Sequence, residues 1–172
     1  MVKLWRCQIC GDPYIGEEAP TNCPFCGAHQ DNIKEFRDSV ANYDVEMTET
    51  DRKNVETALK LELGNAAFYF CAAGKTNDEE GKKLFKALGK VEKEHADIWK
   101  KILKLDSIEL GEEQCSIENK DNLQESHDRE ERAIDFYRKS AEEADNDRIK
   151  ELFLAIVEVE TDHLALSEDR LK

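Results

Sequence analysis

The sequence predicts a mainly α protein, a four-helix bundle preceded by a small metal-binding module, and three observations predict it. Gly (8) and Pro (3) are scarce, and Pro20 and Pro24 both fall in the N-terminal stretch, so the rest of the chain has almost no helix breakers. Four of the six Cys form two closely spaced pairs in that same stretch. From Thr48 onward, apolar residues recur with helical period in four segments. A chain of 172 residues that is 40% hydrophobic and 37% charged can bury a core beneath a solvated surface, with room for a small module beside a medium domain.

Residues 1–36 carry Cys7-Gln-Ile-Cys10-Gly11 and Cys23-Pro-Phe-Cys26-Gly27, with twelve residues between Cys10 and Cys23. Each CxxC pair can grip one ion, and the following Gly permits the tight turn that aims backbone N–H groups at sulfur. Four thiolates make a tetrahedral site suited to zinc or to a single iron. Six Cys in a secreted chain would instead suggest disulfides, but the N-terminus shows no basic region followed by an apolar one. Residues 37–47 are polar and patternless and read as a linker. Thr48-Glu-Thr-Asp51, an N-cap with an acid three residues on, opens the second domain, residues 48–172.

The first helical stripe is Val55, Ala58, Leu59, Ala66, Tyr69 and Ala73, and the second is Leu84, Leu88, Val91, Ile98 and Ile102. The third is Ala133, Ile134, Tyr137, Ala141 and Ala144, and the fourth is Leu152, Phe153, Ile156, Val159 and Leu166. Short breaks at Gly74 to Asn77 and Asp145 to Asp147 force antiparallel neighbours. The longer connection from Lys104 to Asp121 can cross the bundle, giving a ferritin-like topology. Helices of about 25 residues would be about 37 Å long.

The halves of this domain repeat. A shift of 68 residues, the offset from Glu62 to Glu130, aligns Glu62–Tyr69 with Glu130–Tyr137 and Leu84–His95 with Leu152–His163. Four carboxylates and two imidazoles thereby fall on core-facing positions: Glu62, Glu92 and His95, Glu130, Glu160 and His163. The ExxH spacing puts both donors one turn apart on one face, among Leu88, Val91 and Ile98 or Ile156, Val159 and Leu166. Buried carboxylates without counter-charge cost several kcal/mol each, and two metal ions supply that charge. A Glu from each of two helices plus Glu-x-x-His from each of the others is the di-iron or di-manganese carboxylate pattern.

Other polar residues attract less. Glu94 and Glu158 lie about 200° around the helix from a proposed ligand and are expected in solvent. His127, one turn before Glu130, and His29 in the module read as surface residues. Tyr69 and Tyr137, seven residues after Glu62 and Glu130, either pack or reach the opposite helix's carboxylate. Cys71 reads as a core residue and Cys115 as a connection residue, each without a metal-spaced partner. The net charge of −14 argues against nucleic acid and anionic membrane as partners, and no apolar run is long enough to span a bilayer, so a soluble cytoplasmic protein is expected.

With both donor sets in view, nearly the whole chain resembles the rubrerythrin family, in which a rubredoxin-like CxxCG…CPxCG module joins a ferritin-like di-iron bundle; the module-first order is similar to the reversed-order rubrerythrins. The resemblance implies reduction of hydrogen peroxide to water in oxidative-stress defence, with electrons from NAD(P)H through a separate reductase or rubredoxin. By resemblance, Cys7, Cys10, Cys23 and Cys26 hold an electron-transfer iron. Glu62, Glu92, His95, Glu130, Glu160 and His163 hold the di-iron pair, with Glu92 and Glu160 bridging, and Tyr69 and Tyr137 are hydrogen-bonding tyrosines near it. The resemblance also implies a head-to-tail or domain-swapped homodimer, in which a partner's module reaches a bundle whose own module lies at its opposite end. The family's additional Glu, three residues after the helix-three ligand, is Ala133 here. That departure implies a more symmetric site, similar to bacterioferritin, without the Glu/His exchange that accompanies redox change. The competing readings are iron oxidation or storage with a structural zinc on the Cys, and a non-enzymatic protein with zinc at both sites.

Overall fold

In the computed structural model, which describes residues 1–172, Thr48 caps the first helix as its sequence requires. Its hydroxyl accepts from Asp51 N and the Asp51 carboxylate accepts from Thr48 N, closing a capping box. Four helices follow: α1 (Glu49–Lys75), α2 (Glu79–Leu103), α3 (Asn119–Glu143) and α4 (Asp147–Leu171). Asp78 and Asn146 cap α2 and α4 in the same way, each with a side-chain oxygen accepting first-turn N–H groups. Lys104 closes α2 in the left-handed region at φ 56°, bonding back to Lys100 and Lys101 carbonyls.

The short turns pair α1 with α2 and α3 with α4, and α1 also packs on α3. Asn54 of α1 bonds Glu143 at the end of α3, whereas Thr76 after α1 bonds Asn119 at the start of α3, so α1 and α3 run antiparallel. Hence α2 and α3 run in the same direction, and residues 104–118 travel the length of the bundle between them. This is the ferritin-like topology. The connection ends earlier than Asp121 because Asn77 anchors Glu118 and Asn119, letting α3 begin at once. Leu166, expected on the apolar face, is 37% exposed; the register from His163 carries that face through Ser167, which is buried.

The N-terminal module is a three-stranded antiparallel sheet, β1 (Lys3–Cys7), β2 (Pro13–Gly16) and β3 (Ile33–Glu35), in the order β2-β1-β3. Trp5 of β1 pairs with Tyr14 on one side and Glu35 on the other. The strands are short because their task is to present loops: β1 ends at Cys7, and the loop between β2 and β3 carries the second CxxC, pinched by a bridge between Asn22 and His29.

Module and bundle share one core. Cys7, Ile9, Cys10, Cys26, Ala28 and Ile33 are continuous with Ile98, Trp99, Phe153 and Ile156 of the bundle. The expectation that the two sites lie at opposite ends of one chain is therefore corrected: the module sits on its own bundle, against α2 and α4. Residues 37–47, read from sequence as a patternless linker, are the means. Tyr43 Oη donates to Ile9 O (2.8 Å), Arg148 Nε donates to Asn42 O (3.1 Å) and Asn146 Nδ2 to Glu46 O (3.1 Å), fastening the segment to module and bundle alike. No helix is long and apolar enough to cross a membrane.

Candidate metal centres

The two CxxC turns bring four buried sulfurs together. Cys7 Sγ lies 3.7 Å from Cys26 Sγ, and Cys10 Sγ 3.7 Å from Cys23 Sγ. Tetrahedral coordination at a metal–sulfur distance of about 2.3 Å requires sulfur–sulfur edges of about 3.8 Å, so the cluster has the size of a tetrathiolate site. Gly11 and Gly27 take φ of +85° and +76°, the left-handed turns that the sequence reserved for Gly. Ile9 N donates to Cys7 Sγ at 3.4 Å and Asp12 N to Cys10 Sγ at 3.5 Å. Four buried sulfurs this close cannot all be thiolates without a cation among them.

In the bundle, each helix contributes the donors expected of it. Glu62, Glu92, Glu130 and Glu160 are all fully buried, as is His95, and His163 nearly so. They form two overlapping sets, Glu62, Glu92, His95 and Glu160, then Glu92, Glu130, Glu160 and His163, each with its donor atoms within 4.8 Å of one another. Glu92 and Glu160 belong to both. His95 Nδ1 lies 3.3 Å from Glu92 Oε2 and 3.1 Å from Glu160 Oε1. His163 Nδ1 lies 3.1 Å from Glu92 Oε1 and 2.9 Å from Glu160 Oε2.

The electrostatics are those of a cation site. Burial, then the charges of Glu92 and Glu160, push Glu62 well above the usual carboxylate range. Burial, Glu160 and Glu92 do the same to Glu130. Burial opposes the charged forms of His95 and His163, but the surrounding carboxylates outweigh it and hold both imidazoles well above their ordinary value. Glu92 and Glu160 go the other way, burial being overcome by His163 and His95. Glu62 Oε2, both Glu92 oxygens, His95 Nδ1, Glu130 Oε2 and Glu160 Oε1 are buried with no hydrogen-bond partner in the chain. Unpartnered polar atoms so concentrated are what metal ions would satisfy, and carboxylate with imidazole suits iron.

The tyrosines reach across. Tyr69 Oη of α1 donates to Glu130 Oε1 of α3, and Tyr137 Oη of α3 donates to Glu62 Oε1 of α1. Ser126 Oγ sits 2.9 Å from Tyr69 Oη, and Trp99 Nε1 donates to Tyr137 Oη at 3.1 Å. Ala133 is fully buried, so no seventh donor completes the set.

Several residues lie elsewhere than the sequence suggested. Cys71, read as a core residue, and Cys115, read as a connection residue, each without a metal-spaced partner, are both only partly buried and are joined in a disulfide with Cα atoms 5.9 Å apart, because the crossing connection carries Cys115 back over α1. Glu94, expected in solvent, is half-buried where the module covers it, and burial together with Asp12 raises its carboxyl. Glu158 is exposed as expected. His29 clasps module to α4, its Nε2 2.8 Å from Asp162 Oδ2. His127 stands among the exposed carboxylates of Asp128, Glu131 and Glu168.

The contact that sequence could not foresee joins the two centres. His95 Nε2 is 2.9 Å from Cys26 O. The carbonyl can only accept, so Nε2 donates to it, and Nδ1 is the ring nitrogen that faces the carboxylates. Around this bond, Lys101 Nζ donates to Cys10 O at 2.6 Å, Arg148 donates to Gln8 O, and a Cβ at Gly27 would stand 2.8 Å from Val159 Cγ1.

Comparison with known proteins agrees with this geometry. Residues 5–34 match the family model "Rubrerythrin, rubredoxin-like domain", and residues 53–166 match the model "Rubrerythrin". Over 37 residues the chain is 46% identical to "Reverse rubrerythrin-1" of Clostridium acetobutylicum, a match covering 22% of this chain and 20% of that protein. No solved structure matches. With both models matched in module-first order, on a tetrathiolate cluster and a carboxylate/His cluster whose donors fit iron, the chain belongs to the rubrerythrin family.

Proposed function

We propose that this non-haem iron protein reduces hydrogen peroxide to water at the bundle cluster, with electrons relayed from the tetrathiolate site of the same chain. The observation that carries the reading is the hydrogen bond from His95 Nε2 to Cys26 O, which links a residue of each donor set. Iron, when bound at both sites, would supply the one-electron redox chemistry. The residues' part is to hold and shield it: Glu62, Glu92, His95, Glu130, Glu160 and His163 as ligands, Cys7, Cys10, Cys23 and Cys26 as the tetrathiolate.

Each side chain has a definable task. Glu92 and Glu160, shared by both donor sets, would keep the two ions close. Tyr69 and Tyr137 pin Glu130 and Glu62, leaving one oxygen of each to face the centre. The N–H groups of Ile9 and Asp12 stabilise negative charge on sulfur, which raises the reduction potential of a tetrathiolate iron. Reduction of H2O2 to two waters takes two electrons and two protons, so the module must be refilled from outside, through a rubredoxin or an NAD(P)H-linked reductase.

The test is a single-turnover experiment on anaerobically reduced, iron-loaded protein. Mixing with peroxide should return the ferric tetrathiolate colour quickly, and the Glu92→Ala/Glu160→Ala variant should lose that return while keeping the colour itself. Unchanged turnover in the double variant would overturn the assignment. Ala133 supports a second reading, iron oxidation at a symmetric site; it predicts peroxide or dioxygen consumption uncoupled from the tetrathiolate colour.

A further inference from the structure

The disulfide between Cys71 and Cys115 holds a cover over the side of the donor cluster that the module leaves open. The module occupies the α2/α4 side, through His95, Lys101, Arg148 and Val159. On the α1/α3 side lies the connection, residues 104–118, which has no regular structure after the turn that ends α2. Arg129 of α3, beside Glu130, donates to Glu113 of the connection at 3.3 Å and approaches Asn65 Oδ1 of α1 at 3.4 Å. A Cβ at Gly64 would lie 3.8 Å from Glu113 Oε1. The connection therefore crosses the α1/α3 groove at the level of Glu62 and Glu130.

Little else holds it there. Glu109 to Gln114 are all exposed, and the Glu113–Arg129 pair is their one side-chain tie to the bundle. Ile108 packs on the core at one end, and Ser116, Ile117 and Asn122 fasten the other. Fifteen extended residues reach about 50 Å, more than the roughly 37 Å length of the bundle, so chain length alone leaves slack. The bridge removes it: Cys71 lies two residues past Tyr69, and Cys115 packs on the cluster of Phe68, Tyr69, Phe85 and Leu88.

We propose that Cys71 and Cys115 are a reversible thiol–disulfide site whose oxidation clamps this strap over the α1/α3 groove and whose reduction releases it. Both residues are only partly buried, so small reagents can reach them. In the closing direction, one thiol gives up its proton and the thiolate attacks a peroxide oxygen; the O–O bond breaks, leaving a sulfenic acid and hydroxide, which takes up that proton as water. The second thiol attacks that sulfur, forming S–S and expelling a second water. In the opening direction, a dithiol reductant exchanges through a mixed disulfide, leaves as its own disulfide and returns two thiols. The oxidant is the substrate of the function proposed above, on which this step rests; the strap's response to a dithiol does not depend on it.

The experiment uses full-length protein with zinc on the tetrathiolate site and an empty bundle, in the oxidised form, after dithiol treatment, and as Cys71→Ser/Cys115→Ser. Hydrogen exchange over residues 104–118 and the rate of cobalt(II) uptake by the bundle are followed, with thiols counted in parallel. Reduction should expose two thiols and speed both exchange of the strap and cobalt uptake by about tenfold or more, and peroxide should reverse all three. The double Ser variant should behave as the reduced form and ignore both reagents; should it fail to fold, the dithiol-treated protein gives the same comparison. Unchanged strap exchange or cobalt uptake after reduction would overturn the clamp, and failure of peroxide to remake the bridge would overturn its reversibility. Loss of peroxide turnover in iron-loaded protein whose strap still responds would count against the proposed function alone.

Discussion

Tyr137 shows how much a single hydroxyl coordinates. It donates to Glu62 and accepts from Trp99 Nε1, so Tyr137→Phe strips a buried carboxylate of its donor and a buried indole of its acceptor at once. Leaving such groups unpaired costs about 1–3 kcal/mol, and losing a partner behind a ligand typically weakens metal affinity about 10–100-fold. Chelator competition on the variant should show a loss of that size at the bundle and none at the tetrathiolate site. At this scale the sequence was informative where chemistry repeats. The 68-residue repeat, with one ExxH pair and one further Glu in each half, located six donors that the fold brings together, and the seven-residue offset put each Tyr level with a carboxylate. It was silent where a contact depends on docking: Glu94 reads as solvated because nothing in its own helix reveals that Asp12 comes to rest beside it.

Helix boundaries were legible to within a few residues because caps and breakers are local signals. The capping box does more than local work, however. Asp51 is buried and also accepts from Asp145 N, tying the start of α1 to the α3–α4 turn. Asp51→Ala should therefore cost about 2 kcal/mol, at the upper end for a lost cap, and lower the midpoint of thermal unfolding by about 4–8 °C, read by calorimetry with the tetrathiolate site filled. The segments without secondary structure were the least legible. Residues 37–47 and 104–118 have polar, aperiodic sequences, yet one fastens the module and the other crosses the ligand level. Tyr43 and Cys115 hold them through contacts far away in sequence, which periodicity cannot report.

For the molecule as a whole, the metal-free bundle is a set of opposed titrations. Glu62 and Glu130 are raised above 4.5, so the unfolded chain releases these protons first and stability falls as pH rises past that value. His95 and His163 are raised above 6.5; their contribution is whole below that pH and is lost as pH climbs through their folded values. Glu92 and Glu160 are depressed, so their contribution is lost as pH falls below 4.5. Chelator-stripped protein should thus be most stable near pH 4.5, weaken above it as Glu62 and Glu130 lose their protons, and weaken more steeply above about pH 6.5 where the two imidazoles join them. Metal binding displaces the same protons, so the gain in unfolding temperature on loading should widen as pH rises, which thermal melts across pH 5–9 would check.

The duplicated halves build two metal positions from matched parts, Glu62 and His95 against Glu130 and His163, with nothing in the ligand set to tell them apart. The module tells them apart. His95 alone bonds a backbone carbonyl of the second CxxC loop, while His163 meets only carboxylates, Glu160 and Glu92 foremost. A partner of that kind makes the opposite ring nitrogen a stronger donor. The symmetry of the repeat thereby becomes polarity: one position faces the tetrathiolate module, the other faces away, and the pair acquires a distinction of sides that its own residues do not encode.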